Sequence, residues 1–130
     1  MAEKLGIEIK LHRYENFYWD RSCGVLIKKM IVFYYNKSVV KFIQSLDKHL
    51  RSDVYKTVNI LGEYGSEIEL PHSRSLGQGL FELRSVGSGV RMLYCFSKES
   101  AVILLAFIKK QDKIPKKDLD LARKRQYQLA

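Results

Sequence analysis

The run Val102-Ile103-Leu104-Leu105-Ala106-Phe107-Ile108 carries no polar side chain at any position. Successive residues of a strand point to opposite faces, so a strand of this composition needs apolar cover on both sides and an interior place in its sheet. It is too short to cross a bilayer, which takes about 18 or more apolar residues. Upstream, Leu80 to Val86 and Val90 to Phe96 are apolar or alternating, with Gly87-Ser88 and Lys98-Glu99 as breaks. The pattern predicts consecutive antiparallel strands joined by tight turns.

A sheet with two apolar faces has to be covered, and the flanking sequence supplies helices. Val39, Ile43, Leu46 and Leu50 recur at helical spacing behind Ser38, which suits an N-cap. Val54, Val58 and Leu61 follow behind Ser52 or Asp53, with Gly62 and Gly65 at the expected end. So short a link makes an antiparallel helical hairpin. Pro115 suits the first turn of a last helix carrying Leu119 and Ala122 on one side and Arg123, Lys124 and Arg125 around the other. Ahead of the hairpin, Ile31-Val32-Phe33-Tyr34-Tyr35 reads as a strand stopped by Asn36. The expected fold is α+β: an N-terminal strand and an antiparallel helical hairpin packed on a mainly antiparallel sheet, followed by a C-terminal basic helix.

At 130 residues and 46% hydrophobic content the chain suits a single core. Residues 1–29 show no sustained period and read as an N-terminal extension, with residues 30–130 as the domain and Met30 as the expected start of the native product. Lys and Arg total 23 against 14 Asp and Glu, a net charge of +9 that favours polyanionic partners. Cys23 and Cys95 stand far apart and outside any CxxC or zinc-like spacing, which suits a reducing, cytoplasmic setting. Cys95 reads as a small buried hydrophobe. His12, His49 and His72 lack the spacing of a metal cage, and Gly77-Gln78-Gly79 and Gly87-Ser88-Gly89 lack the third glycine of a dinucleotide loop. No metal, cofactor or membrane contact is expected.

Strand register decides where the charges go. With a two-residue turn at Gly87-Ser88, Arg84 faces Arg91, Leu83 faces Met92 and Phe81 faces Tyr94. A turn at Lys98-Glu99 then sets Tyr94 beside Ile103, Met92 beside Leu105 and Arg91 beside Ala106. The core face is Phe81, Leu83, Met92, Tyr94, Ile103, Leu105 and Phe107. The opposite face collects Arg84, Arg91 and Lys110, with Glu82 as a carboxylate able to pair with one of them. Like charges directly opposed are mildly destabilising, so the array makes sense if an anion bridges it. Downstream, Lys109, Lys110, Lys113, Lys116, Lys117, Arg123, Lys124 and Arg125 are answered only by Asp112, Asp118 and Asp120, a cationic rim suited to a phosphate backbone.

The segment Leu76-Gly77-Gln78-Gly79-Leu80-Phe81-Glu82-Leu83-Arg84, then Arg91-Met92-Leu93-Tyr94, then Phe107-Ile108-Lys109-Lys110 and Ile114-Pro115-Lys116 resembles, in order, the phage-type HigB branch of the RelE/ParE toxin superfamily. The likeness runs from Met30 to Leu129. It implies a RelE-like domain, metal-independent mRNA interferase activity, commonly on ribosome-bound message, and a cognate antitoxin that is often a helix-turn-helix protein. The resemblance places Arg84 at the ELR arginine, Arg91, Lys109 and Lys110 at other recurrent basic positions, and Arg74 near a further one. On this reading Arg84, Arg91 and Lys110 form the catalytic set, while His72, Arg74, Lys109, Lys113 and Lys116 bind substrate. The C-terminal catalytic tyrosine of some RelE toxins has no clear equivalent, with Lys116 and Tyr127 as poor matches. Two other readings stay open: a ParE-like toxin that poisons gyrase on the same fold, and a non-catalytic basic binding module.

Overall fold

The computed structural model describes residues 17–20, 25–28, 30–85 and 87–129. Most of the expected extension, residues 1–16, 21–24 and 29, lies outside them, as does the question of a start at Met30. Within that stretch β1 (Phe17–Asp20) and β2 (Val25–Lys28) form an antiparallel ladder, Trp19 opposite Leu26, where the sequence showed no period. The remaining elements are β3 (Ile31–Tyr34), α1 (Lys37–Ser45), α2 (Lys48–Tyr64), a 3-10 turn (Gly65–Glu67), β4 (Ser73–Gly77), β5 (Leu80–Arg84), β6 (Val90–Ser97), β7 (Ser100–Ile108) and α3 (Lys116–Leu129).

The second sheet has the order β3-β7-β6-β5-β4, so β7 has a neighbour on each side, β3 parallel and β6 antiparallel. The apolar composition of β7 has the expected cause. On one face Ala101, Ile103 and Ala106 pack with Val39, Ile43, Val54, Val58 and Leu61 of α1 and α2. On the other, Val102 and Leu104 pack with Leu80, Leu93, Cys95 and Ala122 of α3. The fold is α+β, with the helical hairpin under the sheet and the C-terminal helix over it. Burial among these residues pushes the Cys95 thiol up to about 11, so it is protonated and inert at neutral pH, in keeping with its reading as a small hydrophobe.

Both helix starts come earlier than the spacing suggested. Asn36, in extended backbone directly after β3, caps α1 by accepting the Val39 N–H at 3.2 Å, and the hydroxyl of the expected cap Ser38 instead donates to Asn36 Oδ1 at 2.7 Å. Asp47, not Ser52 or Asp53, caps α2 by accepting the Leu50 N–H at 3.0 Å. A cap needs non-helical backbone, which the tight link at Leu46-Asp47 supplies and the interior of a longer helix does not. Gly65 ends α2 as expected, with φ at +56°; a Cβ there would lie 3.2 Å from the Met30 side-chain terminus.

Two features of the sheet were not legible. The polar strand β4, Ser73-Arg74-Ser75-Leu76-Gly77, pairs antiparallel with β5, Arg74 opposite Glu82. In addition, β7 carries a bulge. Phe96↔Ala101 and Tyr94↔Ile103 follow the Lys98-Glu99 turn, both of whose residues adopt positive φ as a type I′ hairpin requires. Beyond that the pairing becomes Leu93↔Leu105, Met92↔Ala106 and Arg91↔Phe107, leaving Leu104 as the extra residue. The expected partners Met92–Leu105 and Arg91–Ala106 are therefore wrong by one. Ala106 replaces Leu105 in the α1/α2 core, and Phe107 packs with the α3-side cluster.

Candidate nucleic-acid interface

Parity places the charges. In β6, Val90, Met92 and Tyr94 face the helical hairpin while Leu93 and Cys95 face α3, so Arg91 is on the α3 side. In β5, Leu83 faces the hairpin and Leu80 faces α3, which sets Glu82 and Arg84 beside Arg91. Arg84 is directly opposite Arg91, as the register reasoning required. The connecting loop is nevertheless longer than a two-residue turn: Ser85 N donates to Val90 O at 3.3 Å and Ser88 N to Ser85 O at 3.1 Å. Four loop residues preserve the parity that two would have given, which is why the arginine pairing survives.

Glu82 is the organising carboxylate of this face. It is 2% exposed, opposite Arg74 on β4, and its Oε1 lies 3.2 Å from Arg74 Nη2. Its Oε2 lies 3.7 Å from Arg91 Nε, an ion pair too long for a hydrogen bond, and that buried Nε has no hydrogen-bond partner among the described residues. Arg91 Nη1 folds back onto the loop, donating to Ser88 O at 3.2 Å and Val90 O at 3.0 Å. Burial, and then the neighbouring Arg84, pull the Arg91 guanidinium below its ordinary value, against the opposing pull of Glu82. Arg84 has no carboxylate partner among the described residues. One carboxylate thus serves Arg74 and Arg91, and the half-buried Arg84 remains available beside them.

The bulge changes which lysine continues the row. Lys109 N donates to Gly89 O at 2.6 Å, extending the pairing of Val90 with Ile108. With Phe107 opposite Arg91, alternation carries Lys109 to the arginine side and Lys110 to the other, reversing the expected placement of Lys110 with Arg84 and Arg91. Lys113 and Lys116 are exposed on the approach to α3. There Lys116 and Lys117 add charge to the positive end of the helix, partly offset by Asp118. His72 lies elsewhere than expected of a phosphate ligand: it lines a recess of about 380 Å³ with Glu63, Glu67 and Glu69, and its buried Nδ1 has no partner among the described residues.

The C-terminal helix is less of a free cationic rim than its sequence suggested. Arg123 donates to Gly77 O at 2.9 Å and Leu76 O at 3.1 Å, and Gln126 to Gln78 O at 2.9 Å, tying α3 to the β4–β5 turn. Arg125 donates to Leu104 O at 2.6 Å and stacks 5.0 Å from the Tyr35 ring centroid. Leu104 is the bulged residue, so Arg125 satisfies the carbonyl that the irregular ladder leaves over. Arg125→Ala is expected to lower stability by about 1–2 kcal/mol in denaturant unfolding. A change below ~0.3 kcal/mol would show that the bulge holds itself.

This constellation, a buried carboxylate under three arginines on an open sheet face beside a basic helix start, occurs within the segment that matches a family model, Phage derived protein Gp49-like (DUF891), over residues 41–127. The chain belongs to this family. Gp49-like proteins are a RelE/toxin-like group, which agrees with the wider superfamily resemblance. The matched residues of this Gp49-like chain run from α1 through α3 and include every cation placed above. No curated protein matches the chain. Among the described residues, no helix is long and apolar enough to cross a membrane, and no His, Cys, Asp and Glu cluster suits a metal ion.

Proposed function

We propose that this Gp49-like chain is a HigB-like toxin of a type II toxin-antitoxin system that cleaves mRNA without a metal. The observation that carries the reading is the Arg84–Arg91 cross-strand pair, whose charge Glu82 only partly neutralises because it also serves Arg74. A row of cations with unspent donors on an open face suits a phosphodiester. Arg91, fixed by the loop carbonyls and Glu82, and Arg84, free to turn, hold the scissile phosphate. Lys109 faces the same side and neutralises developing charge, with Arg74, Lys113 and Lys116 tracking the flanking backbone. The chemistry asks little more of the protein. The ribose 2′-oxygen forms a bond to phosphorus, the bond from phosphorus to the 5′-oxygen breaks, and the 2′ proton leaves while the 5′-oxygen gains one.

The partner on this reading is an antitoxin that covers the cationic face, often a helix-turn-helix protein. Inducible expression with 5′-end mapping of cellular transcripts tests the proposal: new ends in message soon after induction are expected. Growth arrest with intact transcripts and damaged DNA would mark a ParE-like gyrase poison instead, and neither effect would mark a non-catalytic binding module.

A further inference from the structure

The face of β4 turned away from the arginines borders two adjoining recesses of about 380 and 430 Å³, which share Ile68, Glu69 and Leu70. Leu70 is 63% exposed and Tyr64, in the first recess, 58% exposed, unusual positions for large apolar groups beside a concavity. The second recess reaches Phe81, Ser73 and Ser75 along β4. We propose that this groove docks an extended segment of a partner protein in which Lys or Arg alternates with aliphatic residues.

Three observations set the chemistry of the occupant. Glu63, Glu67 and Glu69 gather here on a chain of net charge +9, while the only arginine of the lining, Arg74, is tied to Glu82. The groove therefore draws cations and repels the polyanions that the opposite face attracts. The exposed Leu70 and Tyr64, with Ile60 and Ile68, give aliphatic side chains a surface to cover. The strand edge sets the conformation. Among the described residues β4 is the last strand of its sheet, and Arg84 N donates to His72 O at 2.7 Å, so residues 72 and 74 bond inward and residues 73 and 75 outward. Glu69 O occupies the Ser73 N–H at 3.1 Å, leaving the Ser73 carbonyl and the Ser75 N–H and carbonyl for an added strand.

The test uses the full chain and two short synthetic peptides, one alternating Lys and Val, the other Glu and Val, followed by amide NMR and hydrogen exchange. The Lys-Val peptide is expected to shift resonances of residues 67–75 and to protect the Ser75 amide, and the Glu-Val peptide to do neither. The double variant Glu67→Lys with Glu69→Lys should weaken binding by about tenfold, and Leu70→Ser severalfold, both in exposed positions where the fold tolerates change. Shifts confined to other surfaces, or equal binding by the charge-reversed protein, would overturn the proposal. So would protection of Ser75 that grows with protein concentration without peptide, since the occupant would then be a second copy. The groove does not depend on the toxin reading: RNA binding at Arg84 unaffected by saturating peptide is expected whether or not that RNA is cut.

Discussion

Arg84→Ala is expected to leave folding intact and to reduce transcript cleavage by about 10²–10³-fold, the scale of losing one preorganised donor to a developing anion. Folding should survive because Arg84 is half-buried and has no ion-pair partner among the described residues, so its removal strands no buried charge. Removing it also relieves the like-charge contact with Arg91, directly opposite. The measurement is 5′-end mapping after matched induction, with thermal unfolding as the control. Cleavage within threefold or so of the parent, in a protein of unchanged stability, would remove Arg84 from the mechanism. Arg91→Ala is a less informative test, because Arg91 also anchors the loop through Ser88 O and Val90 O.

Glu82→Ala should have the opposite profile, a large loss of stability. Glu82 is 2% exposed, and the Arg91 side chain that leans on it is 12% exposed. Removing one partner of a buried pair costs about 3–5 kcal/mol because the other charge stays behind without compensation. Arg74, at 50% side-chain exposure, can turn to solvent, so a loss near the lower end, about 3 kcal/mol, is expected in urea unfolding. Glu82→Gln, which keeps the shape and loses the charge, should fall between the alanine variant and the parent. A loss below ~1 kcal/mol for alanine would mean that Arg91 is held by its carbonyl contacts alone, and the site would be an array of solvated cations.

These two residues show how far local pattern carries. The opposition of Arg84 and Arg91 followed from hydrophobic alternation and a turn of even length, and it survived a longer loop because parity was unchanged. Lys110 failed the same reasoning, since one extra residue at Leu104 exchanges the faces of everything beyond it. Nothing in an unbroken apolar run marks where such a residue sits. Its location is tied to Arg125, which reaches Leu104 O from a helix that begins after the strand has ended. The polar strand β4 was equally hidden: Ser73-Arg74-Ser75 has no apolar alternation, and it is held by pairing to β5 and by the buried contact of Ser73 Oγ with Tyr94 Oη at 2.6 Å.

Read alone, the sequence determined the α+β class, the interior place of β7, the amphipathic hairpin and the existence of an arginine face. Periodicity, turn residues and the need to bury apolar surface act over short distances along the chain and leave their mark there. Only the tertiary structure decided that Lys109 rather than Lys110 continues that face, that Arg123 and Arg125 serve as tethers, and that Glu82 is shared between Arg74 and Arg91. The physical reason is common to all three. A charged side chain takes the partner that packing brings within a few ångströms, and those partners come from strands and helices distant in sequence.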